Sequence, residues 1–135
     1  MTDFSLIDPV FDAVSEPWFK AVSDDRLLIQ RDPITGKAFF YPRARVPRHP
    51  EREPLWLEAC GRGKLHTFTV VERSVHPEFA ALTPFVLAIV DLEEGPRMTS
   101  WIVDTPADEI TCDMAVRVVF REIYPGRKMP CFVKA

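Results

Sequence analysis

Paired cysteines are missing from this sequence: Cys60, Cys112 and Cys131 stand far apart and no CxxC occurs. A disulfide framework is therefore not expected, and buried or idle thiols are the simplest reading. No apolar stretch approaches the roughly 20 residues that span a bilayer, and the first residues, MTDFSLID, carry acids where a signal peptide would carry positive charge. A cytoplasmic location is the expectation. A basic surplus is also lacking, since 17 Lys and Arg face 20 Asp and Glu for a net charge of -3. That balance opposes sequence-independent nucleic-acid binding, which must neutralise phosphates. Catalytic signatures are absent as well: there is no GxSxG, Walker loop, dinucleotide fingerprint or HExxH. The histidines His49, His66 and His76 are dispersed, and only His66 falls on a predicted strand. An enzyme using His66 with Asp91 is the weaker reading, because a strand histidine and a solvated acidic turn explain both residues.

What the chain has is one domain's worth of strands. Its 135 residues are 47% hydrophobic and 27% charged, an ordinary balance for a single globular core. From Lys64 to Glu72 the residues alternate along the chain with the period of two that a strand needs. Phe85 to Val90 is apolar on both faces, which implies burial on both sides. Met98 to Val103 and Met114 to Ile123 follow after turn signals at Glu94-Gly95-Pro96 and Asp104 to Glu109. Short strands at this spacing predict a small barrel or sandwich. Its expected core is Phe68, Val70, Phe85, Leu87, Ile89, Trp101, Val116, Val118 and Phe120, with each face subject to inversion by a one-residue slip.

Ahead of these strands, residues Met1 to Val14 carry apolar side chains without a period and read as an arm. Ser15 is the expected N-cap of a short helix with Glu16 and Pro17 in its first turn and Trp18, Phe19 and Val22 on its apolar stripe. Leu27 to Gln30 and Ala38 to Tyr41 form a predicted hairpin around Asp32-Pro33-Ile34-Thr35-Gly36-Lys37. Thirteen prolines are many for this length, and they concentrate between Pro33 and Pro54. There Arg43, Arg45, Arg48 and Arg52 occupy an irregular, exposed loop. Guanidinium forks bind phosphates or carboxylates in pairs, so this loop is a candidate contact for a nucleotide-like ligand or an acidic partner. The competing reading is a solvated loop balanced by Glu51, Glu53 and Glu58. Gly61-Arg62-Gly63 is a second candidate for phosphate approach, against the commoner use of such glycines at a bulge or tight strand entry. Trp56 is read as the start of the barrel, and Tyr124 to Pro130 as a loop before a short apolar tail, Cys131 to Val133.

Taken in order, Pro17-Trp18-Phe19, Leu28-Ile29-Gln30-Arg31, Tyr41-Pro42-Arg43, Gly61-Arg62-Gly63, Phe68-Thr69-Val70-Val71, Pro84-Phe85-Val86, Ala88 to Gly95, Met114 to Phe120 and Pro130-Cys131-Phe132 resemble the DUF35 family. That family joins a rubredoxin-like zinc ribbon to an OB-fold and is associated with acyl-CoA enzymes. The resemblance runs from about Trp18 to Val133. It implies a mainly β fold: an OB-fold barrel of five or six strands, an N-terminal helix and a zinc-ribbon-like hairpin. The implied division is an arm and helix at 1–26, the hairpin and basic loop at 27–55, and the barrel at 56–135. The sequence departs from the family at the metal: where two CxxC knuckles belong, Asp32 and Thr35, then Val46 and His49, stand. Such a set does not make the tetrahedral thiolate site that zinc takes, so no zinc and no other cofactor is expected.

The resemblance implies a non-catalytic accessory subunit of a thiolase-superfamily enzyme (thiolase, aldolase or synthase), or a companion of another acyl-CoA enzyme. No catalytic residue is expected in it. Arg43, Arg45 and Arg48, with Gly61, Arg62 and Gly63, become the candidate ligand-binding residues for acyl-CoA phosphates or a partner's acidic rim. The rivals are a free-standing acyl-CoA or nucleotide-binding module and, at lower weight, a single-stranded nucleic-acid binder stacking bases on a barrel face. A membrane role is not expected. The apolar arm leaves homodimerisation open.

Overall fold

The three-dimensional description is a computed structural model covering residues 9–135. The first part of the expected arm, residues 1–8, lies outside the described residues. Eight strands and two helices follow in the order α1 (Glu16–Ser23), β1 (Leu28–Arg31), β2 (Ala38–Phe39), β3 (Leu55–Glu58), β4 (Arg62–Val71), α2 (Pro77–Ala80), β5 (Phe85–Leu92), β6 (Arg97–Ile102), β7 (Ala115–Tyr124) and β8 (Arg127–Lys134). A 3-10 turn at Ala107–Glu109 precedes β7. β4 to β8 close a barrel in the order β4-β5-β6-β8-β7, and β2-β1-β3 form a separate three-stranded sheet. The expected mainly β architecture, an OB-type barrel of five strands with a helix before it, is present.

Helix α1 begins where Pro17 suits a first turn, but Ser15 does not cap it. The Ser15 hydroxyl and amide both donate to Asp12 Oδ1, at 2.9 and 2.8 Å, so Asp12 organises the entry instead. Those bonds hold the Asp12 carboxyl below its ordinary range. The helix stops at Asp25, which turns left-handed at φ 58°, while the Arg26 amide returns to the Ala21 carbonyl at 2.9 Å. Its Trp18 and Val22 join Leu27 and Ile29 in the main core cluster.

The barrel interior is built from Leu65, Ala88, Val90, Leu92, Met98, Ile102, Val116 and Phe132. Full burial of side chains such as Phe132, Leu65 and Val90 stabilises the fold by about 1.5–3 kcal/mol each. The expected core is thus half inverted. Phe68 and Val70 lie opposite Ala88 and Val86 on the inner row, and Val118 and Phe120 pack on the cluster with Val116. Phe85, Leu87, Ile89 and Trp101 belong to the opposite row, because the alternate residues Val86, Ala88 and Val90 on β5 face inward with Ser100 and Ile102 on β6. The expected burial on both faces of β5 is met only in part: the outer side chains Phe85 and Ile89 are half-buried and Leu87 is exposed. Phe85 stacks on Trp101 at 4.0 Å, and Phe79 of α2 approaches Phe85. Val70, although on the inner row, sits at the barrel mouth and is 41% exposed.

Two segments extend beyond their expected roles. The apolar tail is the centre of β8, which pairs with β7 from Val116↔Lys134 to Tyr124↔Arg127, so the predicted loop shrinks to a turn at 125–126. Pro130 is tolerated in that strand because β8 meets β6 only at Ile102↔Phe132. The Pro130 carbonyl instead accepts the buried Ser100 hydroxyl at 2.9 Å. The strand that Trp56 opens pairs with β1 through Gln30↔Trp56 and Ile29↔Leu57, so 55–58 complete the small sheet and the barrel starts at Arg62.

Candidate functional site

Buried Gln30 on β1 sets the course of the basic loop. Its side chain brackets the Arg43 backbone, accepting the Arg43 amide at 2.7 Å and donating to the Arg43 carbonyl at 3.0 Å. The loop then forms a tight turn at Val46-Pro47-Arg48-His49. Here the His49 amide donates to the Val46 carbonyl at 3.0 Å, and Arg48 takes the left-handed φ of 67°. Facing it is the turn of the first hairpin, where the Gly36 amide donates to the Asp32 carbonyl at 2.8 Å and Gly36 has φ 75°. Between the two turns lies a cavity of about 530 Å³, lined by Asp32, Thr35, Val46 and His49 together with Lys37 and Arg48.

Those first four side chains occupy the expected metal positions, and they do not fit zinc. Val46 has no donor atom and is buried at 5% exposure. His49 Nδ1 lies 3.4 Å from a Glu51 carboxylate oxygen. Asp32 is already engaged: Oδ1 accepts the Ile34 amide at 2.8 Å and Oδ2 meets Arg52 Nη1 at 2.7 Å. Zinc requires four deprotonated nitrogen, sulfur or oxygen ligands in a tetrahedron. Burial would push the Asp32 carboxyl up, but the Ile34 amide, the Thr35 hydroxyl and the Arg52 guanidinium outweigh it and hold the group below its ordinary value.

The six candidate ligand residues are not brought to one point. Arg43 opens onto a shallow cavity of about 210 Å³ beside Pro17, Glu53 and Trp56, whereas Arg48 lines the cavity between the turns. Arg45 is paired with Glu53 at 3.3 Å. Arg62 is paired with Glu93 at 3.0 Å. The Glu93 carboxyl is held below its ordinary value by the Cys60 thiol, which lies 2.9 Å from it, and by Arg62. Gly61 and Gly63 serve the seam between β4 and β7. Gly61 has φ 85° and its carbonyl accepts the Val118 amide at 2.7 Å, and Gly63 pairs with Val116. His66 and Asp91 are neighbours at 3.4 Å, yet the nearer partner of Asp91 is Arg97 at 2.6 Å, and all three are well exposed.

A second, more apolar feature escaped the sequence reading. An apolar groove of about 440 Å³ runs between the outer face of the barrel and the N-terminal elements, lined by Trp18, Phe40, Tyr41, Leu87, Trp101 and Met129 among others. Tyr41 bridges its two walls, its hydroxyl accepting the Thr99 amide at 3.1 Å. The signal was the two-sided apolar character of β5, which called for a covering layer.

Comparison with known proteins agrees with this architecture. The profile described as ChsH2, C-terminal OB-fold domain, matches residues 56–121. A "DUF35 domain-containing scaffold protein" of Methanothermobacter thermautotrophicus is 38% identical over 89 residues, 65% of this chain and 66% of that protein. The chain belongs to the DUF35 family. A "Probable enoyl-CoA hydratase alpha subunit" of Thermomonospora curvata is 30% identical over 115 residues, 85% of this DUF35 chain and 35% of the relative. The chain thus spans about two thirds of the archaeal relative and about a third of the actinobacterial one. Among solved structures, "Ltp2-ChsH2(DUF35) aldolase" superposes with a TM-score of 0.81 at 28% identity, covering 94% of this chain and 98% of that one. A DUF35 protein of unknown function from Sulfolobus solfataricus shares the fold at a TM-score of 0.63 and 7% identity.

Proposed function

We propose that this DUF35 protein is a non-catalytic accessory subunit that braces a thiolase-superfamily enzyme and helps shape the entrance to its acyl-CoA site. The observation that carries the reading is the match along nearly the full length of the DUF35 chain in an aldolase whose name joins it to Ltp2. Relatives named as scaffold proteins support the same role. The site chemistry is consistent with it. Among the described residues no group of three or more His, Cys, Asp or Glu side chains converges as a metal site, and His66 shares Asp91 with Arg97 on the surface. The subunit works without zinc in this reading, and the cytoplasm is its proposed location. No helix among the described residues is long and apolar enough to cross a membrane.

The test is co-expression with thiolase-superfamily enzymes encoded in the same genome, followed by light scattering of the purified species and an acyl-CoA turnover assay. A stable hetero-complex whose enzyme loses activity without this chain supports the proposal. Turnover by this chain alone overturns it, as does a homodimer that recruits none of those enzymes.

A second reading, a free-standing acyl-CoA module, draws support from Arg43 and Arg48, each beside a cavity. Calorimetric titration with coenzyme A decides between the two. Micromolar binding by the isolated chain, lost when Arg43, Arg45 and Arg48 are all replaced by Ala, favours the module. Absence of binding favours a site completed by the partner.

A further inference from the structure

We propose that Arg52 does the work of a metal in this protein: its ion pair with Asp32 is the cross-link that holds the two facing turns of the N-terminal hairpin together. The turns have the form a metal ribbon uses. Each is a four-residue loop, 32–35 and 46–49, with its first and last side chains lining one shared cavity. Each is closed by its own backbone, through the Gly36 and His49 amides. A four-thiolate site would join the turns through a central cation. Here the cation arrives on a side chain from just beyond the second turn.

The geometry makes that pair more than a surface contact. The Asp32 side chain is 5% exposed and that of Arg52 is 19% exposed, whereas both members of the Arg45–Glu53, Arg62–Glu93 and Arg26–Glu58 pairs are at least 52% exposed. Arg52 is anchored to the second turn by its backbone: its amide donates to the His49 carbonyl at 3.0 Å and its carbonyl accepts the Val46 amide at 3.2 Å. Asp32 is anchored to the first turn by the Ile34 and Gly36 amides. The 2.7 Å bond between them therefore ties two rigid turns, as a metal would, with one cation and one anion and no redox-sensitive ligand. Val46 fills with apolar volume the place of a third ligand.

Loss of the two partners is unequal. Arg52→Met keeps the stem but strands the Asp32 carboxylate in a buried position, which is the costly way to break an ion pair. Asp32→Asn keeps the acceptor for the Ile34 amide, and the Arg52 guanidinium can turn to the exposed Glu51, already 3.6 Å from its Nε. Amide hydrogen exchange of the intact protein reads the result directly. In Arg52→Met the Gly36, Val46 and His49 amides should exchange at least about tenfold faster, in Asp32→Asn less so, and barrel amides should be unchanged. Chelator should leave the parent pattern untouched.

A four-cysteine variant (Asp32→Cys, Thr35→Cys, Val46→Cys, His49→Cys) supplies the complementary arm. It should bind one equivalent of cobalt(II) with tetrathiolate absorption absent from the parent, and adding Arg52→Met to the metal-loaded form should no longer accelerate exchange. The proposal is overturned if Arg52→Met leaves turn exchange at parent rates, if chelator loosens the parent, or if Arg52→Met acts equally in both backgrounds.

Discussion

Gly61 offers a direct test of how the barrel seam is built. An alanine there faces two separate costs. Its φ of 85° is left-handed, which charges a residue with a Cβ about 1–2 kcal/mol. Its Cβ would also lie 2.5 Å from Val118 Cγ1, far inside contact distance. Val118 cannot easily yield, because a β-branched side chain is stiff at χ1 and its amide is bound to the Gly61 carbonyl at 2.7 Å. Such overpacking costs about 1–3 kcal/mol, so Gly61→Ala should destabilise by about 2–5 kcal/mol. For a chain of this size the thermal midpoint should fall by at least about 6 °C. Gly36 is the internal control, with φ 75° but nothing within 4 Å of a built Cβ, so Gly36→Ala should show the backbone cost alone. Val118→Ala added to Gly61→Ala should recover part of the loss, despite the small cavity it leaves. Paired calorimetric melts of these three variants and of Val118→Ala alone would refute the reasoning if Gly61→Ala were no worse than Gly36→Ala, or if Val118→Ala merely added its own penalty to the double variant.

Phe132 is fully buried at the centre of β8, so Phe132→Ala should cost about 3–5 kcal/mol in a denaturant titration. Gln30→Leu should cost about 1–3 kcal/mol, because it leaves the Arg43 amide and carbonyl without their buried partner; increased proteolytic cutting at the basic loop would report it. Burial pushes the Cys131 thiol up to about 12, so in native protein at pH 8 an alkylating reagent should modify the exposed Cys60 and Cys112 and spare Cys131 until denaturant is added. The carboxyls of Asp12, Asp32 and Glu93 are all held below their ordinary values. Their contribution is fully present above about pH 4–5 and is lost as pH falls through the folded values. Stability measured from pH 6 down to pH 2 should therefore decline, and the decline should be shallower in Asp32→Asn.

The contrast between the barrel and the hairpin follows from where each stores its information. Strand existence in the barrel was legible because β-branched runs and turn residues are local signals. Strand facing on β5 and β6 was not, because Phe85, Leu87, Ile89 and Trp101 are as apolar as Val86, Ala88, Val90 and Ile102. Only the groove-lining Trp18, Phe40 and Tyr41, distant in sequence, and the nearby Phe79 beside Phe85 distinguish the two rows. The reach of β8 was hidden by Pro125, Gly126 and Pro130, which signal a loop unless the weak pairing of β8 with β6 is known.

The hairpin posed the opposite problem. The sequence showed that Asp32, Thr35, Val46 and His49 stand where the family resemblance implies four cysteines. The compensation was not legible, because Arg52 reads as one more arginine in an exposed basic loop and lies three residues beyond the last of those positions. Grouping Arg43, Arg45, Arg48 and Arg52 by charge treated as one feature four side chains with different fates: two border cavities, one meets Glu53, and one is drawn inward to Asp32. Charge along a loop gives the supply of cations, whereas burial of a carboxylate fixes which of them is structural. A buried aspartate at a position where the family resemblance implies a metal ligand therefore demands a nearby cation, and the turn geometry admits Arg52.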